Sequence, residues 1–161
     1  MKIVEPGGAS SIKSFDKNVG RPLILTDSGA KTFTLDDIRS LSGRQKWEAG
    51  ETYIQELYGS TGQRYYPVPG TGGRYVDAPV DMLNGSVSAN EIKTYQRVVS
   101  STGKLNEVPL TEKIYAQIEK DLYLRDAVKG YEPKWIFLEA PPAKELSRIL
   151  ELNKIDVIIH K

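Results

Sequence analysis

The stretch R-Y-V-D-A-P-V-D-M-L-N-G-S-V-S-A-N-E-I-K-T-Y, residues 74–95, decides how the rest of the chain is read. Asn84-Gly85 at its centre is the strongest hairpin signal in the sequence, because a two-residue turn of the primed type needs positive φ and Asn-Gly supplies it. The flanks become two strands, the first broken at Pro79, which has no N–H to give to a ladder. Val87, Ala89 and Ile92 are the apolar members of the second. Glu91 and Lys93 lie two residues apart, and strand residues at i and i+2 share a face. They project together while Ile92 turns into apolar packing, and pairing around the turn carries Asp77 towards them.

Working outward, P-G-T-G-G (69–73) is a tight turn and Q-R-Y-Y-P-V (63–68) a further strand. Upstream, Trp47, Tyr53, Ile54 and Leu57 recur at helical spacing, which predicts a helix over 44–58 stopped by Gly59. Downstream, a polar loop (100–107) precedes a helix over 109–128 with Ile114, Ile118, Leu122 and Leu124 as its stripe, Tyr115 beside it and Gly130 at its end. W-I-F-L (135–138) is a continuously apolar strand of the buried kind. P-P-A-K-E-L-S-R-I-L-E-L (141–152) opens with proline and reads as a third helix. I-D-V-I-I (155–159) is the last strand. The order αβββαβαβ predicts an α/β fold, a central mixed β-sheet flanked by helices on both faces.

Residues 1–20 are rich in Gly, Ser and Lys without a sustained period. R-P-L-I-L-T (21–26) has the character of a short strand, and T-L-D-D-I (34–38) of a helix start. The chain therefore divides into an N-terminal arm or linker, 1–40, and a domain, 41–161. At 161 residues there is room for one ordinary domain. No apolar run approaches the roughly 20 residues that span a bilayer, and residues 1–20 lack the apolar core of a signal peptide.

Composition narrows the chemistry. There is no cysteine, and the only histidine is His160, read as an ordinary solvated residue. Cysteine nucleophiles, thiolate zinc sites, Ser-His-Asp triads and histidine metal sites are thereby disfavoured. Catalysis must fall to carboxylates, Lys, Tyr or Ser. From Leu41 onward 16 Lys and Arg face 16 Asp and Glu, so the domain lacks the basic surplus of proteins that coat long duplexes.

An E-x-K pair in a strand is by itself an ordinary solvated ion pair. Beside a second carboxylate it gains a use. Two acids held close repel each other and call for a cation, and Mg²⁺ accepts oxygen ligands while keeping several waters. Asp77, Glu91 and the Ile92 carbonyl offer such oxygens, and Lys93 offers a positive charge beside the reacting phosphate. Asp81 competes with Asp77, with Pro79 between them breaking their face relation. Tyr65 and Tyr66 read first as packing, Trp135 as core, and Gly70, Gly72 and Gly73 as a turn without the Lys-Ser/Thr of a nucleotide loop. Lys104, Lys113, Lys120 and Arg125 read as a solvated face or a basic rim.

Taken in order, G-R-Y-V-D (73–77), N-G (84–85) and N-E-I-K-T-Y (90–95) resemble the PD-(D/E)xK restriction-endonuclease-like superfamily. More narrowly, they look like the C-terminal nuclease domains of contact-dependent growth inhibition and related polymorphic toxins. The resemblance covers roughly residues 47–159. It implies a restriction-endonuclease-like core with Asp77, Glu91 and Lys93 catalytic, and with Asp77, Glu91 and Ile92 binding a divalent ion (Mg, Mn or Zn). It also implies a supporting glutamate on the first helix, Glu51 ahead of Glu48, and Gln117 with Lys120 on the later helix. W-I-F-L-E-A-P-P followed by I-D-V-I-I matches the family's ending. The sequence departs from the pattern at Val76, where the family carries proline.

The activity implied is metal-dependent cleavage of DNA or tRNA by an endonuclease toxin, neutralised by a cognate immunity protein. The chain would be part of a secreted or cell-surface protein, acting in the cytoplasm of a target bacterium. A free-standing repair or restriction nuclease, and an inactive protein-binding module on the same fold, are the alternatives.

Overall fold

A computed structural model describes residues 33–160. The expected arm (1–20) and short strand (21–26) lie outside the described residues. Thr34 caps the first helix, α1 (Leu35–Ser40), through a capping box with Asp37. This satisfies two donors that a helix start otherwise leaves bare. α2 (Gly43–Tyr58) ends at Gly59, whose φ of 69° is the left-handed cap that glycine adopts without strain. Two short strands follow, β1 (Arg64–Tyr66) and β2 (Arg74–Val76), then β3 (Ala78–Asp81) and β4 (Val87–Tyr95). The remaining elements are α3 (Glu112–Ala127), β5 (Tyr131–Glu139), α4 (Lys144–Leu152) and β6 (Asp156–His160).

The main sheet is four-stranded, in the order β3-β4-β5-β6. β3 runs antiparallel to β4, which pairs parallel with β5, as β5 does with β6. The hairpin is present, with Asp81 opposite Val87, but its loop is the three residues Leu83-Asn84-Gly85 closed by the Met82 N–H on the Ser86 carbonyl, and of these Gly85 alone takes positive φ. Ile38 of α1 and Tyr53, Ile54 and Leu57 of α2 cover one face, against Ala78, Val80, Ile92, Ile136 and Leu138. Ile114 and Ile118 of α3 and Leu146 and Leu150 of α4 cover the other, against Trp135 and Phe137. β5 is buried on both faces, which is why W-I-F-L shows no alternation.

The structure corrects several details. The break in 74–83 falls at Asp77, not Pro79: β1 and β2 form a separate two-stranded ribbon, and Pro79 sits inside β3 opposite Ala89. β3 is an edge strand, where a missing N–H leaves no ladder gap, and the Pro79 carbonyl accepts from Ser60 Oγ at 2.7 Å. α1, on the arm's side of the division at residue 40, packs Ile38 fully into the core, and Arg39 pairs with buried Glu139 at 3.0 Å. Trp47 is exposed rather than core, because it lies off the buried arc of its helix. The prolines of 141–142 precede α4 rather than opening it. His160 is half-buried, its ring edge-on to Tyr58, and burial lowers its pKa to about 4.

Candidate active site

The break at Asp77 is built by its neighbours. Its backbone carbonyl accepts from Gln55 Nε2 at 2.7 Å. Its carboxylate Oδ2 accepts from the Ile92 N–H at 3.0 Å. The β3–β4 register runs from Asp81 opposite Val87 to Ala78 opposite Asn90, so Asp77 caps β4 where the ladder stops. Within a strand, the N–H and C=O of one residue point to the same side. The Ile92 carbonyl is therefore turned towards Asp77 as well.

Glu91 and Lys93 share the opposite face from Ile92, as their spacing predicts. Lys93 Nζ donates to Glu91 Oε1 and, at 2.8 Å, to Gln117 Oε1. Gln117 Nε2 in turn donates to Glu91 Oε1 at 3.0 Å. The ammonium also stands 5.0 Å from the centroid of the Trp135 ring, within cation–π range. Its donors are thus aimed by one carboxylate, one amide and one aromatic face. Asp77, Glu91, Lys93 and Gln117 converge as read.

Glu51 is brought within electrostatic reach rather than into hydrogen-bond contact. It lies one helical turn before Gln55, on the helix that packs against β4. That packing is close: a Cβ on Gly50 would stand 2.1 Å from Thr94 Oγ1, so only glycine lets the helix approach there. Glu48 is spent on an exposed pair with Arg44 at 2.6 Å. Asp81 is likewise exposed and bound by both Arg64 nitrogens at 2.8 and 2.9 Å.

Two residues to which the sequence reading gave no role hold the site together. Arg74, 4% exposed, donates to Glu91 Oε2 at 2.8 Å and to both oxygens of Asp121 at 2.8 and 3.2 Å. Asp121, 1% exposed, also accepts from Tyr131 Oη at 2.9 Å and Trp135 Nε1 at 3.0 Å. Arg74 stood in plain view in G-R-Y-V-D. The signal for Asp121 was its place at i+3 from Ile118 and i+4 from Gln117, a charge on the buried stripe of α3.

The electrostatics divide the three carboxyls. Burial pushes Glu91 up, but Arg74 and Lys93 outweigh it and hold the group down at about 2. Asp77 has no such partner in contact. Burial, then the charge on Glu91, raise it to about 8, against the lowering effect of the Ile92 N–H. Glu51 is raised to about 7, first by burial and then by Glu91. A cleft of about 300 Å³ opens beside Asp77, lined also by Gln63, Gly73, Arg74, Tyr75, Lys113, Gln117 and Lys120. A larger groove of about 900 Å³ lies away from it, along β6 and α4, and touches none of Asp77, Glu91 or Lys93. Of the four expected rim cations only Lys113 and Lys120 line the cleft; Arg125 lines the larger groove and Lys104 lies elsewhere.

Among the described residues, no three Asp, Glu, His or Cys side chains form a group able to hold a metal ion. The oxygens here suit a looser arrangement. Mg²⁺ is commonly held by one or two carboxylates with waters completing its shell. Asp77, with one oxygen engaged by Ile92, fits that demand, with the Ile92 carbonyl turned to the same edge; Glu91 would join by yielding an oxygen now held by Arg74 or by Lys93. The two raised carboxyls are short of positive charge, which a cation would supply.

Fold and site together define an α/β protein with a four-stranded mixed sheet packed against helices and an acid–lysine cluster on β4. Among the described residues, no helix is long and apolar enough to cross a membrane. Comparison with family models, curated proteins and solved structures finds no match to this chain.

Proposed function

We propose that the chain is a metal-dependent phosphodiesterase, an endonuclease acting on DNA or tRNA on a restriction-endonuclease-like core. The observation that carries the reading is the convergence of Asp77 from the β2–β3 junction, Glu91 and Lys93 from β4 and Gln117 from α3. A divalent ion, Mg, Mn or Zn, held by Asp77 and Glu91 with the Ile92 carbonyl, would supply Lewis-acid polarisation of the phosphoryl group and a more acidic water.

The chain's own residues do the rest. Arg74 fixes the Glu91 carboxylate and keeps it ionised. Gln117 bonds both Lys93 and Glu91, so the ammonium is placed before substrate arrives. Lys93 then stabilises charge gathering on the phosphate oxygens, the effect for which pre-set donors are worth most. Glu51, holding a proton near neutrality, is suited to exchange one with a water at the rim. The roles of toxin, secreted carrier and cognate immunity protein belong to the same proposal through the resemblance of 73–95.

One observation favours a second reading. Both oxygens of Glu91 are already answered by Arg74 and Lys93, as in an ion cluster that serves only stability. Incubation of the purified chain with plasmid DNA and with total tRNA separates the two, using Mg²⁺, Mn²⁺, Zn²⁺ or chelator. Metal-dependent cleavage that vanishes in Asp77→Ala and Lys93→Ala supports the nuclease. No cleavage under any metal, or undiminished cleavage in both variants, leaves the structural cluster.

A further inference from the structure

The cleft beside Asp77 is built from two surfaces of different chemistry. On the helix side, Lys113, Gln117 and Lys120 stand at i, i+4 and i+7 of α3, one face of the helix. Lys120 Nζ is tied to the turn carbonyls of Thr71 and Gly73 at 3.0 and 2.9 Å, which fixes the opposite wall. That wall is the β1–β2 ribbon, where Tyr65 and Tyr75 pair directly across the strands. Their rings lie 4.9 Å apart, tilted by 53°, and both are about half exposed, 48% and 55%. A Cβ on Gly73 would stand 2.3 Å from the Tyr65 ring, so the glycine leaves room for that ring beside Tyr75. Tyr65, expected as packing, touches Tyr75 but leaves about half of its own surface open to solvent, as Tyr75 does.

We infer that this cleft is a slot for one unpaired nucleotide, with its base on Tyr75 and its phosphates along Lys113 and Lys120. Stacking on an aromatic face tolerates any base but needs that base out of a duplex. At about 300 Å³ the slot is at the small end of ligand pockets, the scale of a single nucleotide. The equal count of acids and bases from Leu41 onward also argues against a surface that grips long duplex. The bland account is that two tyrosines merely staple a short ribbon, since cross-strand aromatic pairs stabilise sheets. It explains the contact between the rings but gives Tyr75 no reason to border the cleft that holds Asp77. The inference rests on the nuclease reading for its substrate class, and it narrows that class to single strands, loops and frayed ends.

Binding in chelator tests it apart from cleavage. Fluorescence anisotropy would compare a short labelled single strand, as RNA and as DNA, with a duplex of the same sequence. The expected result is single-strand binding at least about tenfold tighter, weakened about tenfold by Tyr75→Ala, the scale of one stacked base. Tyr75→Phe should bind like the parent. Tyr75→Leu, which keeps apolar cross-strand packing, should bind like Tyr75→Ala. Lys113→Ala should lower the slope of affinity against salt by about one phosphate contact. The inference is overturned by duplex binding as tight as single-strand binding, or by full affinity in Tyr75→Ala and Tyr75→Leu. Absence of binding to either form up to about 100 μM, the weak end of non-specific affinity, also overturns it. Cleavage without the single-strand preference would sink the slot and spare the nuclease. The preference without cleavage would do the reverse.

Discussion

Two acidic centres, Asp121 on α3 and Asp77 between β2 and β3, flank Glu91 and are treated in opposite ways. At Asp121 every demand of a buried carboxylate is met, by Arg74, Tyr131 and Trp135. At Asp77 the carboxylate has one backbone N–H and faces two other acids. A buried charge answered on all sides organises the fold; one left short of positive charge is poised for something that arrives from outside. Glu91 joins the two, its Oε2 facing the closed network and its Oε1 facing Lys93 at the open one.

The severest way to break that contrast is Asp121→Ala. It strands the Arg74 guanidinium and leaves the Tyr131 hydroxyl and Trp135 indole without their acceptor. Losing one member of a buried ionic network costs about 3–5 kcal/mol. Urea unfolding should report it. A loss under about 1 kcal/mol would mean that the closed network is not what holds this edge.

Lys93→Ala tests the open side. Glu91 keeps Arg74 and Gln117, so the folded state should lose about 1–3 kcal/mol, less than Asp121→Ala does. Cleavage should fall by about 10²–10³, the scale of one pre-set donor at a transition state. Unfolding curves and turnover measured on the same sample decide it. Large effects on both would place Lys93 on the structural side of the comparison.

The deficit of positive charge should also appear as a pH dependence of opposite sign to that of an ordinary ion-paired acid. Folding raises Asp77 from 3.8 to about 8 and Glu51 from 4.5 to about 7, chiefly through burial. Raised pKa values stabilise the fold fully below the unfolded values, and that stabilisation is lost as pH climbs through the folded ones. Glu91 runs the other way, its contribution present above about pH 4.5 and lost towards 2. His160, lowered from 6.5 to about 4, makes stability rise with pH only up to about 6.5 and gives no slope beyond. Between pH 6.5 and 8.5 the raised pair therefore dominates, with the more exposed Glu51 contributing less. The chelated chain should lose about 5 °C in Tm over that interval. Asp77→Asn, which still offers an oxygen to the Ile92 N–H, should flatten the slope while abolishing cleavage, and millimolar Mg²⁺ should flatten it in the parent. A Tm that rises over the interval would contradict the assignment.

How much of this the sequence disclosed follows the range of each interaction. The Asn84-Gly85 turn, the shared face of Glu91 and Lys93 and the capped start at Thr34 are local, and local geometry is what spacing encodes. The two-faced burial of β5 is legible because burial on both sides leaves an unbroken apolar run. Arg74 meeting Asp121 is a contact across 47 positions, and no spacing announces it. The break at Asp77 was misplaced onto Pro79 because proline's missing N–H matters only in an interior strand, and edge position is a property of the whole sheet. Trp47 looked like core since its size and spacing suit a buried face, but the helix turns it outward.

The mildest test contrasts the two aspartates that flank Pro79. Asp81 has what Asp77 lacks, a guanidinium gripping both oxygens, yet it lies at the surface with Arg64. The pair holds Asp81 below its ordinary pKa, but exposed ion pairs contribute only about 0–1 kcal/mol because water competes for both partners. Asp81→Ala should therefore shift the unfolding midpoint slightly and leave cleavage and metal dependence intact. The sheet explains the difference between the two positions. β3 pairs with β4 through Asp81 but ends before Asp77, so Asp81 is held by the ladder and points to solvent, while Asp77 is free to turn in and cap Ile92. Loss of cleavage in Asp81→Ala would move the acidic centre one hairpin end along the strand, and with it the meaning of the short-of-charge site.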